Sequence, residues 1–91
     1  MTSENTVYFG TVVGVLTHLT WRYVVTREDG ERWDLAIPPG RKDVIAAADE
    51  NIGRLVYASG TLQKRLGRLV IDMHDVGGIM NAEYQKPRIV E

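Results

Sequence analysis

Apolar positions along this chain recur mostly with period two, and one internal stretch switches to helical spacing. Residues 7–16 read VYFGTVVGVL. This run is rich in valine but carries Gly10 and Gly14, and glycine inside a strand marks a bulge or sharp bend. Trp21–Thr26 and Arg32–Ile37 predict two further strands. Pro38-Pro39-Gly40 stops the third, because proline cannot donate to a ladder. The segment RKDVIAAADENIG (41–53) changes period: Val44, Ala48 and Ile52 recur at helical spacing, alanine favours helix, and Asn51 and Gly53 suit its end. Val56–Leu62 and Leu69–Val76 return to strand. Gly77-Gly78 closes the body, which makes residues 1–78 one domain and residues 79–91 an extended or mobile tail.

The register of the first hairpin follows from its turn. A two-residue Asp29-Gly30 loop would set Glu28 against Glu31 and scatter apolar residues over both faces. A three-residue loop, Glu28-Asp29-Gly30 with the glycine left-handed, pairs Arg27 with Glu31 instead. Trp21, Tyr23, Val25, Trp33, Leu35 and Ile37 then share one face. A one-residue slip would expose the whole set, so the register is strongly specified and the tryptophans point inward.

The second hairpin is amphipathic as well. An even-numbered loop centred on Leu66-Gly67 puts Leu62 opposite Ile71 and Gly60 opposite Met73. Val56, Ala58, Leu62, Leu69, Ile71 and Met73 line one side; Tyr57, Ser59, Thr61, Gln63, Asp72 and His74 line the other. One wet face and one packed face suit antiparallel sheet.

Three strands, a helix and a two-stranded hairpin give the element order of the oligonucleotide/oligosaccharide-binding (OB) fold. The expected class is all-β: a five-stranded antiparallel Greek-key OB-fold barrel with one short helix between strands 3 and 4. Closure removes edges that an open sheet would expose. An SH3-like barrel competes, but it lacks a helix of this length before its fourth strand.

Composition narrows the function classes. Ninety-one residues make one domain with a modest core. There is no cysteine, so neither disulfides nor thiolate metal sites contribute, which fits a reducing, cytoplasmic setting. The first ten residues show no basic segment followed by an apolar run, and no apolar stretch is long enough to span a bilayer. Net charge is −1, so any nucleic-acid role rests on a local patch rather than on global basicity.

Two segments carry a family resemblance. GRLVYASGTLQKR followed by GRLVIDMHDVGGIMNAE resembles the second half of bacterial single-stranded-DNA-binding proteins, where a glycine precedes a V-Y strand, a G-x-L-Q/R-x-R run follows, and the last strand ends in paired glycines. ERWDLAIPPG (31–40) is similar to that family's acidic-x-Trp strand. The resemblance covers roughly residues 31–83. It implies an OB barrel, often assembled through its first strand, that stacks bases on aromatic rings. By position it implies that Trp33 stacks bases and that Lys64 and Arg65 flank the strand. Alternation alone puts Trp33 inward with Leu35 and Ile37, so the two readings of this residue stay open. The chain departs from the family in having a tight turn where a long arm joins the last two strands.

In OB domains the ligand lies across strands 2 and 3, flanked by the loops joining strands 1–2 and 4–5. Here the first loop is THLTW with His18, Trp21 and Arg22, and the second is KRLGR with Lys64, Arg65 and Arg68. Arg22 and Arg32 project from the sheet face between them, and Tyr57 is a candidate stacking residue on the surface. The candidate nucleic-acid-binding set is therefore Trp21, Arg22, Arg32, Trp33, Tyr57, Lys64, Arg65 and Arg68. The bland reading is that these cations keep a wet face soluble and that tyrosine simply suits a strand.

Other chemistries fit less well. Ser59 is expected opposite His74, with Asp72 on the same face, but a flat strand surface supplies neither an oxyanion hole nor a pocket. Asp72, His74 and Asp75 fail as metal ligands because Asp75 points away from the other two. Gly10 and Gly14 do not open a helix, which excludes a phosphate-cradling loop. The expectation is a non-enzymatic protein without cofactor or metal. It binds single-stranded nucleic acid largely independently of sequence, away from membranes, with self-association through the first strand or the C-terminal tail. The alternative is a protein-interaction or assembly module without a nucleic-acid ligand, in which Pro87 keeps the tail extended and Ile89-Val90 add to a neighbouring sheet edge.

Overall fold

The computed structural model describes residues 7–74 and 77–83. Expectations for residues 1–6, 75–76 and 84–91, including Asp75, the end of the Leu69–Val76 strand, Pro87 and Ile89-Val90, lie outside the described residues. The elements are β1 (Val7–Leu19), β2 (Arg22–Thr26), β3 (Arg32–Ala36), α1 (Lys42–Glu50), β4 (Leu55–Gln63), a single 3-10 turn (Lys64–Leu66), β5 (Arg68–Val70) and β6 (Gly78–Asn81).

Strands follow the order β1-β2-β3-β5-β4, and a β1–β4 pairing closes them into a five-stranded barrel with one helix. The barrel is not wholly antiparallel as expected, because β3 and β5 run parallel. The reason is arithmetic: strand directions cannot alternate all the way round a ring with an odd number of members, so at least one neighbouring pair must be parallel.

β1 is long because it serves two partners. Val7–Val15 pair with β4, and Val15–Leu19 pair with β2. Gly14 sits where the partner changes. A Cβ there would stand 2.3 Å from the Thr26 carbonyl oxygen, so only glycine allows the two backbones to approach this closely.

The β2–β3 hairpin has the expected register. Val25 faces Trp33, the Arg27 N–H donates to the Glu31 carbonyl oxygen at 2.7 Å, and Gly30 has φ 94°. The β4–β5 hairpin is corrected by two residues: Leu62 faces Leu69, not Ile71. A two-residue shift preserves side-chain parity, so Val56, Ala58, Leu62, Leu69 and Ile71 are buried as expected, whereas Met73 is exposed.

β5 stops at Val70 because Arg41 draws the following backbone away from the ladder. Its Nη1 donates to the carbonyl oxygens of Asp72 and His74 at 2.6 and 2.8 Å. The chain then rejoins β4 as β6, with Ala58 facing Ile79 and Tyr57 facing Met80. The segment expected as a tail from residue 79 thus begins as a paired strand, and Ala82 beyond it is buried.

α1 presses Val44 and Ala48 into the core, where they meet Leu16, Trp33, Leu35 and Ile71 among others. It is shorter than the helical pattern suggested, and Ile52 is exposed beyond its end. Among the described residues no helix is long and apolar enough to cross a membrane.

Candidate nucleic-acid interface

Residues of one parity on β2, β3 and β5 point away from the main core cluster, and among them Val24 is nonetheless buried, 3% exposed. They place Arg22 on β2, Arg32 and Asp34 on β3, and Arg68 on β5 side by side, with Asp34 opposite both Val24 and Arg68 in register. The Asp34 N–H donates to the Gly67 carbonyl oxygen at 2.8 Å, which fixes the turn carrying Lys64 and Arg65 against β3. Gly67 makes that turn possible in its left-handed conformation, φ 63°. Arg22, Arg32, Lys64, Arg65 and Arg68 are all exposed. The acidic group set among them is Asp34, whose carboxylate meets Arg22 Nη1 at 3.4 Å. Such a pair in water is worth little, so phosphate can compete for the guanidinium. Arg22, Arg32 and Arg68 thus share one parity on neighbouring strands, and the turn carrying Lys64 and Arg65 adjoins them as one strip.

The remaining three candidates fall elsewhere. Trp21 does not point inward: it is 83% exposed. Leu19 pairs with Arg22, so Thr20 and Trp21 are the two-residue turn of the β1–β2 hairpin, with Thr20 at φ 54°. Alternation stops at the end of the ladder, and extending it one residue past Arg22 gave the wrong face. The position nonetheless puts Trp21 at the end of the strip, beside Arg22.

Trp33 is 4% exposed and packs in the core, so it offers no face to a ligand and the stacking role implied by the resemblance is not seen. Its Nε1–H is buried without an acceptor among the described residues. Tyr57 is half-buried on β4 between Val13 and Met80, and it lines a separate cleft with Phe9, Asp43 and Met80, away from the strip.

Strand pairing also assembles a constellation that pattern reasoning missed. β1 extends to Leu19, so His18 lies in it opposite Tyr23 rather than in a loop. The two rings stack with centroids 4.5 Å apart and planes 22° from parallel. The Tyr23 hydroxyl donates to Asp49 Oδ1 on α1 at 2.5 Å. That hydrogen bond, then burial, then the carboxylate charge push the Tyr23 pKa up to about 12. The clue in the sequence was the spacing: a two-residue turn at Thr20-Trp21 makes His18 and Tyr23 cross-strand neighbours.

The Ser59–His74 juxtaposition does not form. Ser59 lies opposite Thr11 and Gly78, with its Oγ 2.9 Å from Thr11 Oγ1. The Asp72 carboxylate accepts the His74 backbone N–H at 3.3 Å.

No family model, curated protein or solved structure matches this chain.

Proposed function

We propose that this chain is an OB-fold protein that binds single-stranded nucleic acid, largely without sequence preference, on the outer face of β2, β3 and β5. The observation that carries this reading is the strip itself: five exposed cations from two strands, β5 and one turn, gathered on one face of a protein whose net charge is −1. Phosphate attraction confined to a groove-like face, with an aromatic at its end, is how sequence-tolerant single-strand binders work. The OB assignment is supported by the order β1-β2-β3-β5-β4, the β1–β4 closure and the helix between β3 and β4. A relation to bacterial single-stranded-DNA-binding proteins rests on the segments quoted above, with Trp33 excepted. Fluorescence anisotropy of labelled oligothymidylate tests the reading: binding at low salt that weakens steeply as salt rises is expected, and no binding at low salt overturns it.

A second reading, an assembly module, is favoured by one observation. The β1 edge facing away from β4 over Val7–Gly14 has no partner among the described strands, and Val7, Phe9 and Val13 are exposed beside it. An unpaired edge with apolar neighbours is a template for a second copy of β1. Sedimentation equilibrium distinguishes the readings: a dimer dissociated by Phe9→Lys, in a protein that ignores oligothymidylate, puts assembly first.

A further inference from the structure

We propose that the groove at the helix end of the barrel, between Trp21 and the stacked His18–Tyr23 pair, is a slot for one nucleobase, with its phosphate held outside by Arg22. This deepens the nucleic-acid reading and rests on it. The groove is lined by His18, Trp21, Tyr23, Ile37, Pro39 and Ile45, and Arg22 stands on its rim. A single exposed aromatic is ordinary on any surface. Trp21 differs because its ring stands in solvent next to a second aromatic surface that is already built.

That second surface is fixed before any ligand arrives. The Tyr23 hydroxyl is held by Asp49, and the His18 ring lies against the Tyr23 ring. Stacking on preorganised rings avoids the entropy cost of ordering them at the moment of binding. Ile37, Pro39 and Ile45 make the rest of the wall apolar, which suits the faces of a planar heterocycle better than its polar edges. Such a slot accepts any base, because every base has a π-face.

Charge selects the occupant over an apolar peptide and also sets its direction. On one side Arg22 continues into the cationic strip of Arg32, Arg68, Lys64 and Arg65. On the helix side stands the Asp49 carboxylate, which repels phosphate. A nucleotide therefore enters base first, with its backbone leading away along β2 and β3. A base still stacked in a duplex cannot enter, so the slot favours single strands.

The two tryptophans make the test direct. In Trp33→Phe the remaining indole emission belongs to Trp21, and oligothymidylate is expected to quench it in parallel with the anisotropy change. Trp21→Ala is expected to weaken binding roughly five- to 150-fold, the range of one lost stack. Trp21→Phe is expected to retain most of the affinity, and His18→Leu to lose part of it. An abasic oligomer of the same length, with all its phosphates but no bases, is expected to bind as weakly to the parent protein as oligothymidylate does to Trp21→Ala. If oligothymidylate binds with salt sensitivity but leaves Trp21 emission unchanged, or if the abasic oligomer binds as tightly, the slot is wrong while the strip stands. If neither oligomer binds at low salt, the nucleic-acid reading itself fails and the slot falls with it.

Discussion

The Arg41 guanidinium donates to the Asp72 carbonyl oxygen at 2.6 Å, joining positions 31 residues apart. The same group reaches the carbonyls of His74 and Gly77, and its Nε meets Asp43 Oδ1 at 3.1 Å. Arg41 is buried whereas Asp43 is largely exposed, so this is a cation that ties down backbone more than a buried ion pair. Removing it leaves carbonyl oxygens unpaired in a part-buried loop. Arg41→Met should therefore cost about 3 kcal/mol, the scale of losing its two short charge-assisted hydrogen bonds, those to the Asp72 and His74 carbonyls. Asp43→Asn should cost a small fraction of that, because its carboxylate sits in water. Urea denaturation of the two variants checks the ordering.

Trp33 and Trp21 should respond oppositely to truncation. Trp33→Ala empties the middle of the core and should cost about 3–5 kcal/mol. Trp33→Phe should cost less, since it also removes an indole N–H that has no acceptor among the described residues. Trp21→Ala should leave stability within about 0.5 kcal/mol. Chemical denaturation followed by circular dichroism separates the three without relying on tryptophan emission.

These contrasts mark where sequence reasoning reached and where it stopped. The β2–β3 register was legible because Gly30 needs a positive φ and because Val25, Trp33 and Leu35 must share a face; both constraints are local. Arg22 and Arg32 were legible for the same reason, as parity puts them on one face, whereas Arg68 was read as part of the KRLGR loop and its place in β5 beside Asp34 came from the β3–β5 pairing. Trp21 was misplaced because alternation says nothing about where a ladder ends. The true end of β5 was hidden in a different way. Leu69, Ile71 and Met73 continue a strand pattern, but the backbone after Ile71 answers to Arg41, a partner that no local pattern reveals. β6 was missed because four residues led by glycine carry almost no periodic signal.

Gly10 and Gly14 invite the same prediction from sequence but different ones from structure. A Cβ at Gly14 meets the Thr26 carbonyl oxygen at 2.3 Å, and that backbone cannot yield without disturbing the β1–β2 pairing. At Gly10 the nearest atom is Leu62 Cδ1 at 2.8 Å, the far end of a side chain that can turn aside. Gly14→Ala should therefore cost about 1–3 kcal/mol, the usual range for overpacking, and Gly10→Ala distinctly less. Thermal melts of the two variants provide the comparison.

Tyr23 predicts a stability that fails at high pH. Its folded pKa is raised from 10.0 to about 12, so the native state holds the phenolic proton more tightly than the unfolded chain does. The resulting stabilisation is complete below pH 10 and is lost as pH rises towards 12. Tyr23→Phe should reduce the pH dependence of stability across that window. The absorbance difference at alkaline pH between the parent and Tyr23→Phe should place the missing titration near 12. In Asp49→Ala the Tyr23 titration should move back towards 10.0, because the hydrogen bond to Asp49 is the largest cause of the shift.

Lys64, Arg65 and Arg68 separate binding from folding most cleanly. All three are exposed at the β4–β5 turn, and the core residues nearby are Leu62 and Leu69. Replacing the three with alanine should leave the melting temperature nearly unchanged, as surface substitutions usually do. Oligothymidylate affinity should fall at low salt. Its dependence on salt should also flatten, because each phosphate contact on a single strand contributes about 0.7 to the slope of log affinity against log salt, so losing three contacts removes about 2. A uniform loss of affinity with an unchanged slope would mean that these side chains do not neutralise phosphates. The strip would then be confined to Arg22 and Arg32, and a matching pair of substitutions there should reproduce the flattened slope.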